Sequence, residues 1–133
     1  MKLTRRYRFA ASHRLDVPAL SAEENRRLFG KCNNPFGHGH DYTLEVTVEG
    51  EPDASGQIVN RRQLDEVVRA NVLDALDHRN LNSDVAALEG VVPTTENLAL
   101  AVERMLAADW RFAARLSALR IAETGRNRFE LRT

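Results

Sequence analysis

Two segments near the start of the chain alternate between apolar and polar positions. In residues 2–9 the odd positions are mainly apolar and the even positions are mainly polar, with Arg5 as the exception. In residues 41–49 the odd positions are polar, and the even ones are Tyr42, Leu44, Val46 and Val48. A period of two puts successive side chains on opposite faces of a strand. Both segments are therefore predicted to be half-buried β-strands.

Residues 61–76 have the spacing of an amphipathic helix. Their apolar residues recur at i, i+3 and i+4, and these residues are Leu64, Val67, Val68, Val72, Ala75 and Leu76. Asn60 is predicted to be the N-cap, with Gln63 in the matching position of a capping box. The sequence thus predicts one helix directly after the second strand and a turn-rich linker.

A second helix is predicted to begin at Thr94 or Thr95, directly after Pro93. Glu96 falls in its first turn, where a negative charge favours the helix dipole. Its apolar stripe consists of Leu98, Ala101, Val102, Met105 and Leu106. The stretch 111–116 fits either a further helical turn or a loop.

The end of the chain has the pattern of a β-hairpin. Leu119 and Ile121 alternate along one strand, Phe129 and Leu131 along the other, and residues 125–127 form the turn. The predicted order is therefore strand, strand, helix, helix, strand, strand. This order favours an α+β fold of one domain over residues 1–133, with two helices on one face of a four-stranded, mainly antiparallel sheet. The open edges of such a sheet favour assembly with further copies of the chain.

Composition and charge narrow the class of protein. The 133 residues include 19 basic and 19 acidic side chains, and this balance argues against a nucleic-acid binder. No apolar run is long enough to span a bilayer, so no membrane segment is expected. Arginines interrupt the N-terminal segment, which lacks the apolar core of a signal peptide. The single cysteine fits a reducing compartment, and a cytoplasmic location is expected.

Three of the four histidines fall on matching strand faces. His38 and His40 lead into the second strand on the face of Tyr42, and His13 continues the odd-numbered face of the first strand. Pairing of the two strands would bring the three imidazoles together, and three histidines with an open fourth position are typical of catalytic zinc. Gly37 and Gly39 would reduce side-chain bulk around them. The alternative is an ordinary turn into a strand, with His13 as a hydrogen-bonded core residue.

Cys32 lies six positions before His38 and is expected to share its neighbourhood. As a fourth ligand it would close the coordination shell and make the metal structural. As a free thiolate near a cation it would have a lowered pKa and could act as a base or nucleophile. An inert buried thiol is the third reading.

The pair Asp77 and His78, and the carboxylate Glu123, are further candidates for the site. Asp77 and His78 follow the first helix, where a carboxylate and the helix dipole can orient an imidazole; a polar helix stop is the simpler reading. Glu123 falls on the inward face of its strand, where a carboxylate is costly unless it is paired. It would suit the N–H edge of a flat heterocycle, or an ion pair with an arginine.

Six sequence fragments together resemble the 6-pyruvoyl-tetrahydropterin synthase family, which includes the 6-carboxytetrahydropterin synthases of the queuosine pathway. The fragments are FAASH (9–13), CNNPFGHGHDY (32–42), GQIVN (56–60), LDHRNLN (76–82), VVPTTEN (91–97) and ET (123–124). The resemblance covers nearly the whole chain. It implies the two-layer ββααββ tunnelling fold (T-fold), assembled as a trimer or a dimer of trimers, with active sites at subunit interfaces.

The resemblance also implies roles for individual residues. His13, His38 and His40 would bind Zn²⁺, Cys32 would be a catalytic base rather than a ligand, and the pair Asp77 and His78 would assist it. Glu123 would act in the site by anchoring the pterin ring. The remaining expected substrate contacts are Thr94, Thr95, Glu96 and Thr124, and the candidate cations for a triphosphate are Arg14, Lys31 and Arg61.

The implied reaction is the conversion of 7,8-dihydroneopterin triphosphate to 6-pyruvoyl-tetrahydropterin with elimination of triphosphate. It is an internal redox change, so no nicotinamide or flavin is expected. The five residues between Cys32 and His38, and Asn60, match the pyruvoyl branch of the family. The alternatives are a 6-carboxytetrahydropterin synthase acting on the same substrate and a non-catalytic, zinc-stabilised oligomerisation module.

Overall fold

The structure is a computed structural model that describes residues 1–133. A five-stranded sheet forms one of its two layers. Its strands are β1 (Lys2–His13), β2 (His38–Glu49), β3 (Arg79–Asn80), β4 (Arg115–Ala122) and β5 (Arg128–Arg132). Their order across the sheet is β3-β1-β2-β4-β5. All neighbouring pairs are antiparallel except β1 and β3, which are parallel.

Three helices accompany the sheet. They are α1 (Ala22–Phe29), α2 (Arg61–Val68) and α3 (Thr95–Ala107). A π-helical turn (Arg69–Leu73) and a last α-helical segment (Asp74–Leu76) continue α2, so the predicted helix over 61–76 is present with one widened turn. None of these helices has both the length and the apolar character that crossing a bilayer requires.

The predicted helix starts are confirmed by their caps. The Asn60 side chain accepts the Gln63 backbone N–H at 3.0 Å, and the Thr94 side chain accepts the Asn97 N–H at 3.2 Å. These bonds satisfy amides that have no acceptor inside the first turn of a helix. Each helix therefore begins where its N-cap residue predicts.

The hydrophobic core lies between α2, α3 and one face of the sheet. The strand register aligns the apolar faces, because Phe9 pairs with Tyr42, Leu44 with Ile121, and Val46 with Leu119. The rings of Phe9 and Tyr42 stack at 5.0 Å. The same register carries the face of Phe9 and Tyr42 onward to the ends of β1 and β2, where the histidines lie.

The structure differs from the predicted layout in two places. The sheet has five strands rather than four, because residues 79–80 pair with β1. Helix α1 precedes β2; its buried Asn25 binds the backbone of residues 17–21, a local bond pattern that apolar periodicity does not reveal. In the stretch 111–116, for which a helical turn and a loop were both predicted, residues 111–114 form a loop and residues 115–116 already belong to β4.

Arg5 breaks the apolar pattern of β1 because it pairs with a helix residue. Its Nε and Nη2 donate to the two carboxylate oxygens of Asp65 at 3.1 and 2.7 Å, and the Tyr7 hydroxyl donates to the same carboxylate at 2.7 Å. The bond from Arg5, with a smaller contribution from Tyr7, lowers the pKa of Asp65 below its usual 3.8. This network ties α2 to the sheet.

Asp65→Asn is expected to lower the stability of the fold at pH 7, because Arg5 loses its charged partner. A lowered carboxyl pKa stabilises the native state above the usual pKa, and this contribution disappears as the pH falls through the lowered value. The stability difference between the two proteins should therefore shrink from pH 5 to pH 3 in urea unfolding. Glu51→Gln, at an exposed position outside the helices, is the control. A difference that is independent of pH would contradict the ionic role of Asp65.

Candidate metal centre and active site

The three strand histidines lie together at one end of the sheet. β1 and β2 pair so that His13 lies opposite His38 and Ala11 lies opposite His40. The Nε2 atoms of His13 and His40 are 3.1 Å apart, and the ring of His38 lies 4.3 Å from that of His40. The register alone thus brings three imidazoles from two strands to one place.

Gly37 permits the tight approach of the loop before β2 to the end of β1. Its φ is +68°, and a Cβ there would lie 2.5 Å from the carbonyl oxygen of His13. A side chain would therefore force the loop away from the cluster. Gly39 is not required in this way, since a Cβ there would meet only ordinary contacts at 3.7 Å.

His13 is held in one orientation by the loop before α3. Its Nδ1–H donates to the carbonyl oxygen of Pro93 at 2.9 Å, since a carbonyl can only accept. The Tyr42 hydroxyl lies 3.4 Å from the same nitrogen. Nε2 of His13 is therefore the nitrogen with a free lone pair, and it faces the other two histidines. A backbone carbonyl in this position is a common outer support of metal-binding histidines.

The donor set fits a divalent transition metal. One ligand atom from each of His13, Cys32, His38 and His40 lies within 4.8 Å of all the others. In a tetrahedral zinc site the nitrogen ligands are about 3.3 Å apart, given bonds of about 2.0–2.1 Å, close to the separation of His13 and His40. Burial lowers the pKa of both His13 and His40, which favours the neutral imidazole that binds metals. These residues could hold a metal ion.

Cys32 joins the cluster from a short 3₁₀ segment, Gly30–Asn33, after α1. The Leu15 N–H donates to the Cys32 carbonyl at 2.7 Å, and the buried Asn33 amide donates to the Leu15 carbonyl at 2.7 Å. These bonds fasten the segment to the end of β1. They place the Cys32 Sγ 3.0 Å from the Nε2 of His38.

The protein groups around Cys32 favour the neutral thiol. Burial raises the pKa of Cys32, and the Glu123 carboxylate raises it further. A thiolate at this position would therefore need a nearby positive charge. The geometry leaves both the ligand role and the base role open, since the sulfur lies among the three imidazoles.

Glu123 also faces the histidine cluster, directly after the end of β4. Its Oε1 lies 2.8 Å from the Nε2 of His40 and 3.6 Å from that of His13. Its Oε2 accepts the Thr95 hydroxyl at 3.1 Å. The inward carboxylate predicted from strand alternation is thus present, and its partners are histidines and a threonine rather than an arginine.

Asp77 and His78 do not join this cluster within the chain. The Asp77 carboxylate accepts the Ala10 N–H at 2.9 Å, and the His78 N–H donates to the Ala10 carbonyl at 2.6 Å. His78 has a φ of +59°, a left-handed conformation that is uncommon for a residue with a Cβ. Its side chain is 83% exposed and lies 3.7 Å from the Asp77 carboxylate. The backbone of the pair is fixed and the imidazole faces outward.

The other predicted site residues are divided between the cluster and the surface. Thr95 is buried beside Glu123, Thr94 caps α3, Glu96 is exposed, and Thr124 is exposed in the β4–β5 turn. Among the candidate cations, Arg14 lies beside His13 along a small cavity and Lys31 is next to Cys32 in an exposed position. Arg61 begins α2 near Asp65, beside the Arg5 network.

Sequence reasoning missed Pro93 and Tyr42 as supports of His13. A carbonyl acceptor leaves no side-chain signature, and Tyr42 has the place of an ordinary core residue. The position of Pro93 before the predicted N-cap was the only signal available.

A family model described as 6-pyruvoyl tetrahydropterin synthase matches residues 2–133. The chain is 50% identical over 100 residues to the 6-pyruvoyl tetrahydrobiopterin synthase of Homo sapiens, a match that covers 74% of this chain and 69% of that protein. It is 42% identical over 126 residues to the Drosophila melanogaster protein of the same name, covering 94% of this chain and 75% of that protein.

A solved structure extends this similarity to the fold. The 6-pyruvoyl tetrahydropterin synthase of Caenorhabditis elegans superposes with a TM-score of 0.90 at 36% sequence identity, covering 100% of this chain and 95% of that chain. The two-layer T-fold arrangement is therefore shared over the full length of the chain.

Replacing any one of His13, His38 and His40 by Ala is expected to reduce tight metal binding sharply, because each would supply one lone pair to the same ion. His78→Ala is the matched control and should bind metal like the unmodified protein, since His78 is outside the cluster. Metal content after dialysis, measured by atomic absorption, tests this. Stoichiometric metal in a His13→Ala protein would contradict the three-histidine site.

Proposed function

The chain belongs to the 6-pyruvoyl tetrahydropterin synthase family, and on that premise we propose that it is a zinc-dependent lyase. It converts 7,8-dihydroneopterin triphosphate to 6-pyruvoyl-tetrahydropterin with elimination of triphosphate. The observation that carries the proposal is the convergence of three imidazoles, one thiol and one partly buried carboxylate at the same end of the sheet. These are the groups needed to bind a metal, to take a proton and to orient a pterin.

His13, His38 and His40 hold the zinc in this proposal. The 3.1 Å separation of the His13 and His40 Nε2 atoms and the Pro93 carbonyl behind His13 support this role. When bound, zinc supplies Lewis acidity toward the side-chain hydroxyl groups of the substrate, which makes the neighbouring C–H more acidic. The three histidines also fix which end of the substrate lies beside Cys32.

Cys32 is the base that removes the proton from the substrate side chain. The hydrogen bonds that Cys32 and Asn33 make with the backbone of Leu15 hold the sulfur beside the imidazoles, so its approach to the reacting carbon is fixed before substrate binds. Because burial and Glu123 keep the thiol neutral, a cation in the cluster is what makes the thiolate accessible near neutral pH.

Glu123 anchors the pterin ring through two N–H groups of its edge. Thr95 fixes one carboxylate oxygen, and the other faces His40. If Nε2 of His40 held the metal, it would carry no proton and could not donate to Oε1 of Glu123. Oε1 would then be available to accept a hydrogen bond from the pterin. The cost of burying the carboxylate is then offset by charge-assisted hydrogen bonds to the ligand.

Asp77 and His78 complete the site of a neighbouring protomer. Their clamped backbone and outward imidazole suit a proton shuttle that reaches across a subunit interface. The family resemblance implies a homotrimer or a dimer of trimers, and we propose such an assembly for this chain. His78 then carries the proton collected by Cys32 back to the product.

The reaction balances without an added oxidant or reductant. The C–H proton goes to Cys32, the electron pair left behind expels triphosphate, and tautomerisation moves electrons from the side chain into the ring. The side chain is oxidised and the ring is reduced. No nicotinamide or flavin takes part in this sequence.

One structural observation favours a second candidate of another class. The Cys32 sulfur lies among the three histidines, so it could close a structural, four-ligand zinc site in an oligomerisation module. Incubating zinc-loaded protein with 7,8-dihydroneopterin triphosphate and identifying the products by mass spectrometry separates the candidates. 6-Pyruvoyl-tetrahydropterin and triphosphate support the proposal; 6-carboxytetrahydropterin with acetaldehyde indicates the other branch of the family, and unchanged substrate indicates the module.

Cys32→Ala is expected to keep stoichiometric zinc and the oligomeric state but to lose turnover. Loss of a general base typically costs about 10²–10⁴-fold in rate. Zinc content and single-turnover kinetics measure the two properties separately. A variant that loses zinc together with activity would show that the sulfur is a ligand.

Glu123→Gln is expected to weaken pterin binding by about tenfold or more while zinc content stays the same, because an amide replaces one acceptor of a charge-assisted pair with a donor. Equilibrium binding of a dihydropterin, followed by its fluorescence, provides the measurement. Glu51→Gln, at an exposed position beyond the end of β2 opposite the histidines, is the control. Equal affinity in the Glu123→Gln and unmodified proteins would remove the anchoring role.

A further inference from the structure

The outer face of the sheet carries a basic cavity that the proposed reaction does not use. It has a volume of about 400 Å³ and lies over the β4–β5 hairpin. Arg6, Thr43, Ala122, Arg126 and Arg128 are among the residues that line it. These residues face away from the core and from the histidine cluster.

The strand register explains why this part of the face is concave. Thr43 pairs with Ala122, and Ala122 pairs with Arg128. Two small side chains therefore form the floor, while Arg128 rises at one side and the hairpin turn closes one end. Arg6, one strand further across the sheet, stands at the opposite side.

The three arginines of this cavity are not neutralised by ion pairs. Arg6, Arg126 and Arg128 have no carboxylate within 4 Å, whereas Arg120 and Arg132 on the same face both pair with Glu130. Glu45 is the one acidic side chain in the lining, so three guanidinium groups stand against one carboxylate. The cavity therefore has a net positive charge in a chain that is neutral overall.

The hairpin turn adds backbone donors to the same cavity. The Arg126 N–H is bound by the Thr124 hydroxyl at 3.1 Å, but the N–H groups of Gly125 and Asn127 have no acceptor in the protein. Unpaired amides of a turn that border a basic concavity are a recurrent feature of anion sites. Guanidinium groups add planar, two-point hydrogen bonding to phosphate oxygens.

We infer that this cavity binds an oligophosphate chain. Several phosphate groups can engage three separated arginines and the turn amides at once, which a single carboxylate cannot. The phosphates are those of a bound substrate or of a free oligophosphate, such as the inorganic triphosphate that the proposed reaction releases. Binding itself does not depend on the proposed metal chemistry, because no member of the histidine cluster lines the cavity.

The test is a calorimetric titration of inorganic triphosphate into zinc-loaded protein. Saturable binding that weakens as sodium chloride rises is expected, because exposed charges are screened by salt. The double variant R126Q/R128Q should bind at least tenfold more weakly. R62Q, which removes an exposed and unpaired arginine on α2, should bind like the unmodified protein. Zinc content measured after the titration verifies that the heat does not come from metal removal.

Two outcomes overturn the inference: no saturable binding to the unmodified protein, or equal binding by the double variant. Where binding is lost as expected, the Michaelis constant for 7,8-dihydroneopterin triphosphate identifies the source of the chain. A rise in this constant for R126Q/R128Q assigns the cavity to the phosphates of the substrate, and an unchanged constant assigns it to free oligophosphate. A protein that binds triphosphate through these arginines but does not turn over substrate would leave this inference intact and refute the proposed function.

Discussion

The antiparallel register of β1 and β2 is the constraint on which the rest of the site depends. It sets His13 opposite His38 and Ala11 opposite His40, and it stacks Phe9 on Tyr42 two positions further into the core. A slip of β2 by one residue would turn His38 and His40 to the face opposite that of His13. The apolar contacts that stabilise the sheet therefore also fix the separation of the three imidazoles.

The features that could be predicted from the sequence were those that depend on local hydrophobic periodicity or on helix-capping residues. Alternation identified both faces of β1 and β2, and the caps Asn60 and Thr94 identified the starts of two helices. The apparent defect in the pattern, Arg5, is satisfied by Asp65, a residue that only the packing of α2 brings near. The inward position of Glu123 was likewise predicted from the alternation of its strand. Its contacts to His40 and Thr95 depend on where β4 ends relative to α3.

The remainder of the site consists of contacts between segments distant in sequence. The Pro93 carbonyl supports His13 across 80 positions of the chain, and no residue type marks a backbone acceptor. The 79–80 strand is too short to show a period, and α1 is fixed by the bonds of Asn25 rather than by an apolar stripe. The outward imidazole of His78 follows from a left-handed backbone that sequence patterns do not encode. Loop geometry, more than composition, places the chemistry around the predicted histidines.

The central claim is that three imidazoles bind the metal while the Cys32 sulfur stays unbound beside it. X-ray absorption at the zinc edge of the loaded, substrate-free protein tests this directly, because zinc–sulfur bonds are about 2.3 Å long and zinc–nitrogen bonds about 2.0–2.1 Å. We expect a shell of nitrogen and oxygen neighbours alone. A sulfur neighbour at about 2.3 Å would make Cys32 a ligand and contradict its assignment as the base.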